Sequence, residues 1–98
     1  MIPVNDKSYN EIAEKLLEAI GQGEYYNGTV EYECEEYSAA LRCTLLVYRE
    51  PLFDESAPAG AARLITDIVP VWWEFHTFNI GGEEINDFEW QNLRHFLL

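Results

Sequence analysis

Basic residues are scarce in this chain, long apolar runs are missing, and cysteine occurs twice. Each shortage closes a class of function. Six Lys and Arg stand against 18 Asp and Glu, for a formal net charge of −12. That balance repels phosphate backbones and anionic lipid, so direct nucleic-acid binding and membrane-surface binding are not expected. No apolar run approaches the roughly 18 residues that cross a bilayer. The start MIPVNDKSYNEI lacks the basic and apolar regions of a signal peptide, so the expected location is the cytoplasm. Cys34 and Cys43 are too few for a zinc site, which takes four ligands in close pairs. Gly81 and Gly82 are not followed by the Lys-Ser/Thr of a phosphate-binding loop. Neither a metal nor a cofactor is expected.

What is present is a globular composition. The chain is 48% hydrophobic and 14% aromatic, and a disordered acidic tail would lack those aromatics. Its 98 residues suffice for one core and not for two, so residues 1–98 are expected to form a single domain. There is no internal repeat and no low-complexity tract.

Ser8 and Glu11 read as a capping box. Tyr9, Ile12, Ala13, Leu16, Leu17 and Ile20 then follow at helical spacing. Glu11 and Lys15 form an i,i+4 pair, and Gly21 ends the helix.

The period then falls to two. Val30, Tyr32 and Cys34 face one way; Thr29, Glu31, Glu33 and Glu35 face the other. In the next run Leu41, Cys43, Leu45 and Val47 alternate with Arg42, Thr44, Leu46 and Tyr48. A turn at Ser38 and Ala39 pairs Val30 with Val47, Tyr32 with Leu45, Cys34 with Cys43, and Glu35 with Arg42. A slip of one residue would turn the apolar face to water, which fixes the parity. That turn lacks the usual Gly or Asn, so the loop can be two residues longer.

Residues 51–62, PLFDESAPAGAA, read as a long loop. An extended run follows. It places Ile65, Val69, Val71, Trp73 and Phe75 on one face, and Trp72, Glu74, His76 and Phe78 on the other. Pro70 cannot donate to a ladder and predicts a bulge or a strand break. Gly81-Gly82 forms a tight turn, and EEIND is a short strand completing a second hairpin. DFEWQNLRHFLL returns to helical spacing, with Trp90, Leu93, Phe96 and Leu97 on one side. Asn86 or Asp87 is its expected N-cap. The order α-β-β-β-β-α implies an α+β domain: an antiparallel four-stranded sheet with N-terminal and C-terminal helices packed on it.

The segments VWWEFHTF, GGEEINDF and WQNLRHFL resemble small acidic bacterial proteins encoded in phage-like or conjugative elements. The resemblance spans about a third of the chain and carries no activity and no catalytic residue. It implies an interaction protein directed at a host or a partner.

Four features bear on function. Glu31, Glu33 and Glu35 form a row of carboxylates on one strand face. Such a row keeps that face wet and discourages edge-to-edge aggregation, or loosely imitates a nucleic-acid backbone. Cys34 and Cys43, if opposed, come within disulfide reach, though in a reducing compartment they stay thiols and pack as small hydrophobes. Adjacent tryptophans on a strand point to opposite faces. Trp73 is expected in the core, where truncation to Ala costs about 3–5 kcal/mol. Trp72 lies with Tyr48, Glu74 and His76 on the second face, which either is covered by a helix, wholly or by half, or presents an aromatic patch to a partner or ligand. His76 and Glu74 are the one plausible acid–base pair, without a nucleophile or metal to work with. His95 is expected at the surface of the last helix, near its C-terminal dipole.

These features predict a non-enzymatic, cytosolic interaction module. Glu31, Glu33, Glu35, Tyr48, Trp72, Glu74 and His76 would face a protein partner of basic character. The alternatives are a nucleic-acid mimic that blocks a DNA-binding protein, and a small enzyme or ligand carrier using His76 and Glu74.

Overall fold

A computed structural model describes residues 1–51 and 63–98. From residue 52 on, the expected loop over 51–62 lies outside the described residues. The order is α1 (Asp6–Ile20), β1 (Tyr25–Glu33), β2 (Ser38–Pro51), β3 (Arg63–Asn79), β4 (Gly82–Glu84) and α2 (Trp90–Leu97). The four strands form one antiparallel sheet in the order β1-β2-β3-β4. This is the α+β architecture that the periodicity implies.

α1 starts three residues earlier than the Ser8 capping box predicts. Asn5 is the N-cap, and its side-chain oxygen accepts from the Ser8 N–H at 2.9 Å. Ser8 is thereby inside the helix, and its hydroxyl is buried between two tyrosines of the first hairpin: Tyr32 Oη lies at 3.1 Å and Tyr37 donates at 2.9 Å. Lys15 reaches across to donate to the Glu31 carbonyl at 3.1 Å. Gly21 closes the helix at φ 57°, a region that glycine enters without a Cβ clash, and its N–H donates to Leu17 O.

The first hairpin keeps the predicted parity and changes the register. Val30 faces Leu41 and Tyr32 faces Ala39, so the ladder slides six residues along β2 from the expected pairing. Six is even, so every side chain keeps its face. The loop is Cys34–Tyr37, closed by Cys34 N–H donating to Tyr37 O at 2.9 Å. It lets Tyr37 turn inward and join Tyr32, with ring centroids 6.0 Å apart. Glu35 leaves the strand for this loop, and Arg42 faces Thr29 instead of Glu35.

β3 bulges beside Pro70, as a proline in a ladder requires. Thr44 pairs with Trp72 and Leu45 with Pro70, which leaves Val71 without an opposite residue. A second irregularity leaves Thr66 in the same position, between Tyr48–Asp67 and Arg49–Ile65. Each extra residue reverses the alternation. Ile68 is therefore fully buried, while Val69 and Val71 are exposed, contrary to the expected grouping. The second turn uses Ile80 and Gly81, because Asn79 already pairs with Gly82.

The N-cap of α2 is Glu89, without a side-chain bond, rather than Asn86 or Asp87. Those two side chains are engaged elsewhere. Asp87 accepts from the Val4 N–H at 2.7 Å, and Asn86 donates to Phe75 O and Thr77 Oγ1. Both helices lie under the same face of the sheet. Ile12, Leu16 and Leu93 meet Leu41, Cys43, Leu45 and Ile68 there, all nearly inaccessible to water. Phe88, just before α2, stacks on Phe75 at 4.1 Å and on Tyr9 at 5.5 Å.

Candidate functional site

With both helices on one side, no described element packs on the other face of the sheet. Side chains that point to it come from alternate positions of three long strands, and they divide into two halves. One half is apolar. Tyr25, Leu46 and Val69 form a cross-strand row, opposed in register across β1, β2 and β3. Tyr48, Val71 and Trp72 lie beside it, and all six are exposed. Aromatic and branched side chains in such a row support one another, and none of the described residues covers them.

The other half is charged. Glu31 and Glu33 stand on β1, exposed to solvent. Glu74 lies 3.7 Å from Arg42 and 3.4 Å from His76 Nε2, and His76 Nδ1 lies 3.1 Å from Glu83. His76 is thus held between two carboxylates, with one ring nitrogen toward each. Arg42 also lies over the Trp72 ring, 5.9 Å from its centroid, within the range of a cation–π contact. That guanidinium joins the two halves of the face.

The fold brings six of the seven sequence-derived site residues to this face: Glu31, Glu33, Tyr48, Trp72, Glu74 and His76. Glu35 is the exception. The hairpin loop removes it from the row, which shortens the acidic ladder to two steps on β1. Sequence reasoning missed Tyr25, Val69 and Val71. The signal for the two valines was Pro70, since a bulge there leaves Val71 as the extra residue and moves Val69 to the opposite face.

Trp73 is not a core residue. It is 38% exposed, and Phe88 meets its ring edge-on at 5.2 Å. Two adjacent tryptophans on opposite faces are therefore nearly equally accessible, because the helix layer does not reach fully beneath Trp73.

His76 and Glu74 do meet, but at the surface, with side chains 40% and 48% exposed. The shallow concavity of about 340 Å³ beside them is lined by His76, Glu83, Phe75 and Phe88, among others, and Glu74 is not part of it. The cysteines are apart: Cys43 faces Gly28, Cys34 sits at the loop, and both are free. Burial pushes the Cys43 thiol up to about 11, which leaves it protonated and unreactive at neutral pH. Burial likewise raises Tyr26, Tyr32 and Tyr37. Among the described residues, no helix is long and apolar enough to cross a membrane and no metal-binding cluster occurs. Compared with known proteins, the chain matches no protein family, no curated protein and no solved structure.

Proposed function

We propose that the chain is a non-enzymatic interaction module that takes a basic protein on its open sheet face. The observation that carries this reading is the uncovered apolar row of Tyr25, Leu46 and Val69 with Tyr48, Val71 and Trp72 beside it. Contiguous exposed apolar surface of this kind marks an interaction site more often than scattered hydrophobes do. Its border sets the partner's chemistry. Glu31, Glu33, Glu74 and Glu83 outnumber Arg42 and His76, so the complementary surface has apolar anchors and a Lys/Arg rim. A second copy is a poor occupant, since each chain carries a net charge of −12, and like charges oppose association.

The test compares the wild-type chain with Trp72→Ala and Tyr48→Ala. Capture from a host lysate is run at low and high salt, with and without competing duplex DNA. This reading expects basic proteins retained by wild type and lost by both variants, with retention that survives salt because the anchor is apolar. Capture that vanishes with salt and is competed by DNA points to the nucleic-acid mimic. Retention unaffected by either substitution, in variants shown to fold, removes the face as the site.

A further inference from the structure

The sheet has two long edges, and they differ in kind. The β3 edge is obstructed. It contains Pro70, which has no N–H, and irregularities at Val71 and Thr66. Side chains satisfy part of its backbone as well: Asp67 accepts from the Ile68 N–H at 2.8 Å, and Asn86 donates to Phe75 O at 3.3 Å. Bulges, proline and local caps are the devices by which a sheet edge avoids taking another strand.

The β1 edge has neither proline nor bulge. Its nine residues contain no proline and pair with β2 without a register shift. Bonds at the two ends of the ladder fix which groups point outward. Val47 N–H donates to Glu24 O, and Cys34 N–H to Tyr37 O. Even-numbered positions therefore turn their backbone groups toward β2. In an antiparallel pair the alternate positions turn theirs away. Tyr25, Asn27, Thr29, Glu31 and Glu33 thus present N–H and C=O groups to the open edge. The Lys15 bond to Glu31 O confirms that direction, and among the described residues Lys15 is the one side chain donating to this row.

We infer that the open edge of β1 binds an extended, Lys/Arg-rich segment of a partner protein by strand addition. Strand addition takes affinity from the backbone row and specificity from alternate side chains. Residues opposite Glu31 and Glu33 point to the same face as those carboxylates, so they are cationic. On the helix side, Glu11 and Glu18 share the α1 stripe of Lys15, which favours cations on the partner's other face too. A segment charged on both faces has no apolar side to bury and is unfolded when free. The occupant is therefore a flexible basic segment rather than the edge of a folded domain. This inference rests on the reading of the chain as an interaction module, but it uses the β1 backbone and not the Trp72 face.

The probe is a ten-residue peptide built on a Lys-Lys-Thr repeat, which places Lys on both strand faces, titrated onto the full chain. Amide exchange is read residue by residue. At saturation the Asn27, Thr29 and Glu31 amides slow by about tenfold or more, while the Val30 amide is unchanged. Thr29→Pro removes an edge donor without touching the ladder to β2, and it weakens the peptide by about tenfold. Trp72→Ala leaves peptide affinity unchanged. If Thr29→Pro does not fold, a peptide N-methylated along one edge is titrated onto the wild-type chain and loses affinity to the same degree. Absence of binding overturns the inference. So does binding that leaves those amides unprotected, or that Thr29→Pro and N-methylation do not weaken, since either marks diffuse ionic attraction. Protection of the same amides in the chain alone, with dimers in solution, overturns it in favour of a second copy. Loss of protein capture in Trp72→Ala with an indifferent Thr29→Pro leaves the open-face reading standing and the edge refuted.

Discussion

Leu41 and Arg42 are neighbours in the chain and occupy opposite environments. Leu41 lies beneath the helices with no accessible surface; Arg42 lies on the open face between Glu74 and Trp72. The same step separates Cys43 from Thr44 and Leu45 from Leu46. The covered face holds the packed core and the open face does not, so the stability cost of a substitution should alternate along β2 residue by residue. The largest contrast tests that. Leu41→Ala removes packed methyl groups that the helices cannot collapse to replace, and costs about 2–5 kcal/mol. Leu46→Ala, on the other face, costs about 1 kcal/mol or less. Urea denaturation of the two variants reads the difference; equal losses would mean that the open face is covered in solution.

Alkaline pH probes the covered face without changing a packing atom. The Cys43 thiol is held up to about 11 in the folded chain against 9.0 in the unfolded one. Below about pH 9 both states keep the proton and stability is whole. As pH rises from about 9 to 11 the unfolded thiol ionises first, and about 2–3 kcal/mol is lost. Tyr26, Tyr32 and Tyr37, raised by burial, steepen the fall at higher pH. Unfolding free energies at pH 8 and 10.5, compared with those of Cys43→Ala, isolate the thiol: the variant should lose less stability across the interval.

Ser8 tests the seam between helix and hairpin. Its hydroxyl serves both Tyr32 and Tyr37. Ser8→Ala leaves two buried phenols short of a partner and should cost about 1–3 kcal/mol, although the helix itself gains from alanine. A capping serine would also lose stability, but through fraying at the helix N-terminus. Exchange at the Ser8 and Tyr9 amides, unchanged in the variant because Asn5 is the cap, distinguishes the two.

Ser8 also shows where the sequence stopped being readable. Face parity was legible because alternation survives any even slip of register. The register was not legible, because it depends on where Tyr37 goes. Taken as the end of a strand, Tyr37 points outward; in a four-residue loop it turns inward to Ser8. No glycine or asparagine in that loop marks it. Pro70 announced an irregularity but not its direction, and the exposure of Val69 follows from that direction. The α2 cap failed for a similar reason: Asp87 and Asn86 hold Val4, Phe75 and Thr77, long-range partners that local spacing does not contain. The acidic row on β1 was visible, while the contrast between an obstructed β3 edge and a clean β1 edge required the pairing itself.

The smallest expected effect draws the comparison most finely, because it sets two adjacent tryptophans against each other. Trp73 lies on the covered side but at its margin, meeting Phe88 edge-on; Trp72 lies on the open side under Arg42. A core tryptophan would cost about 3–5 kcal/mol on truncation. At 38% exposure, Trp73→Ala should cost about 1–2 kcal/mol, chiefly its contact with Phe88. Trp72→Ala should cost about 1 kcal/mol or less, since an exposed cation–π contact is worth little in water. If the open face takes the partner as proposed, the functional ranking should be reversed: Trp72→Ala should abolish partner capture and Trp73→Ala should spare it. Chemical denaturation and capture measured on the same two proteins read both rankings. A pair in which the costlier substitution is also the one that loses the partner would show that folding, and not the open face, is what the partner senses.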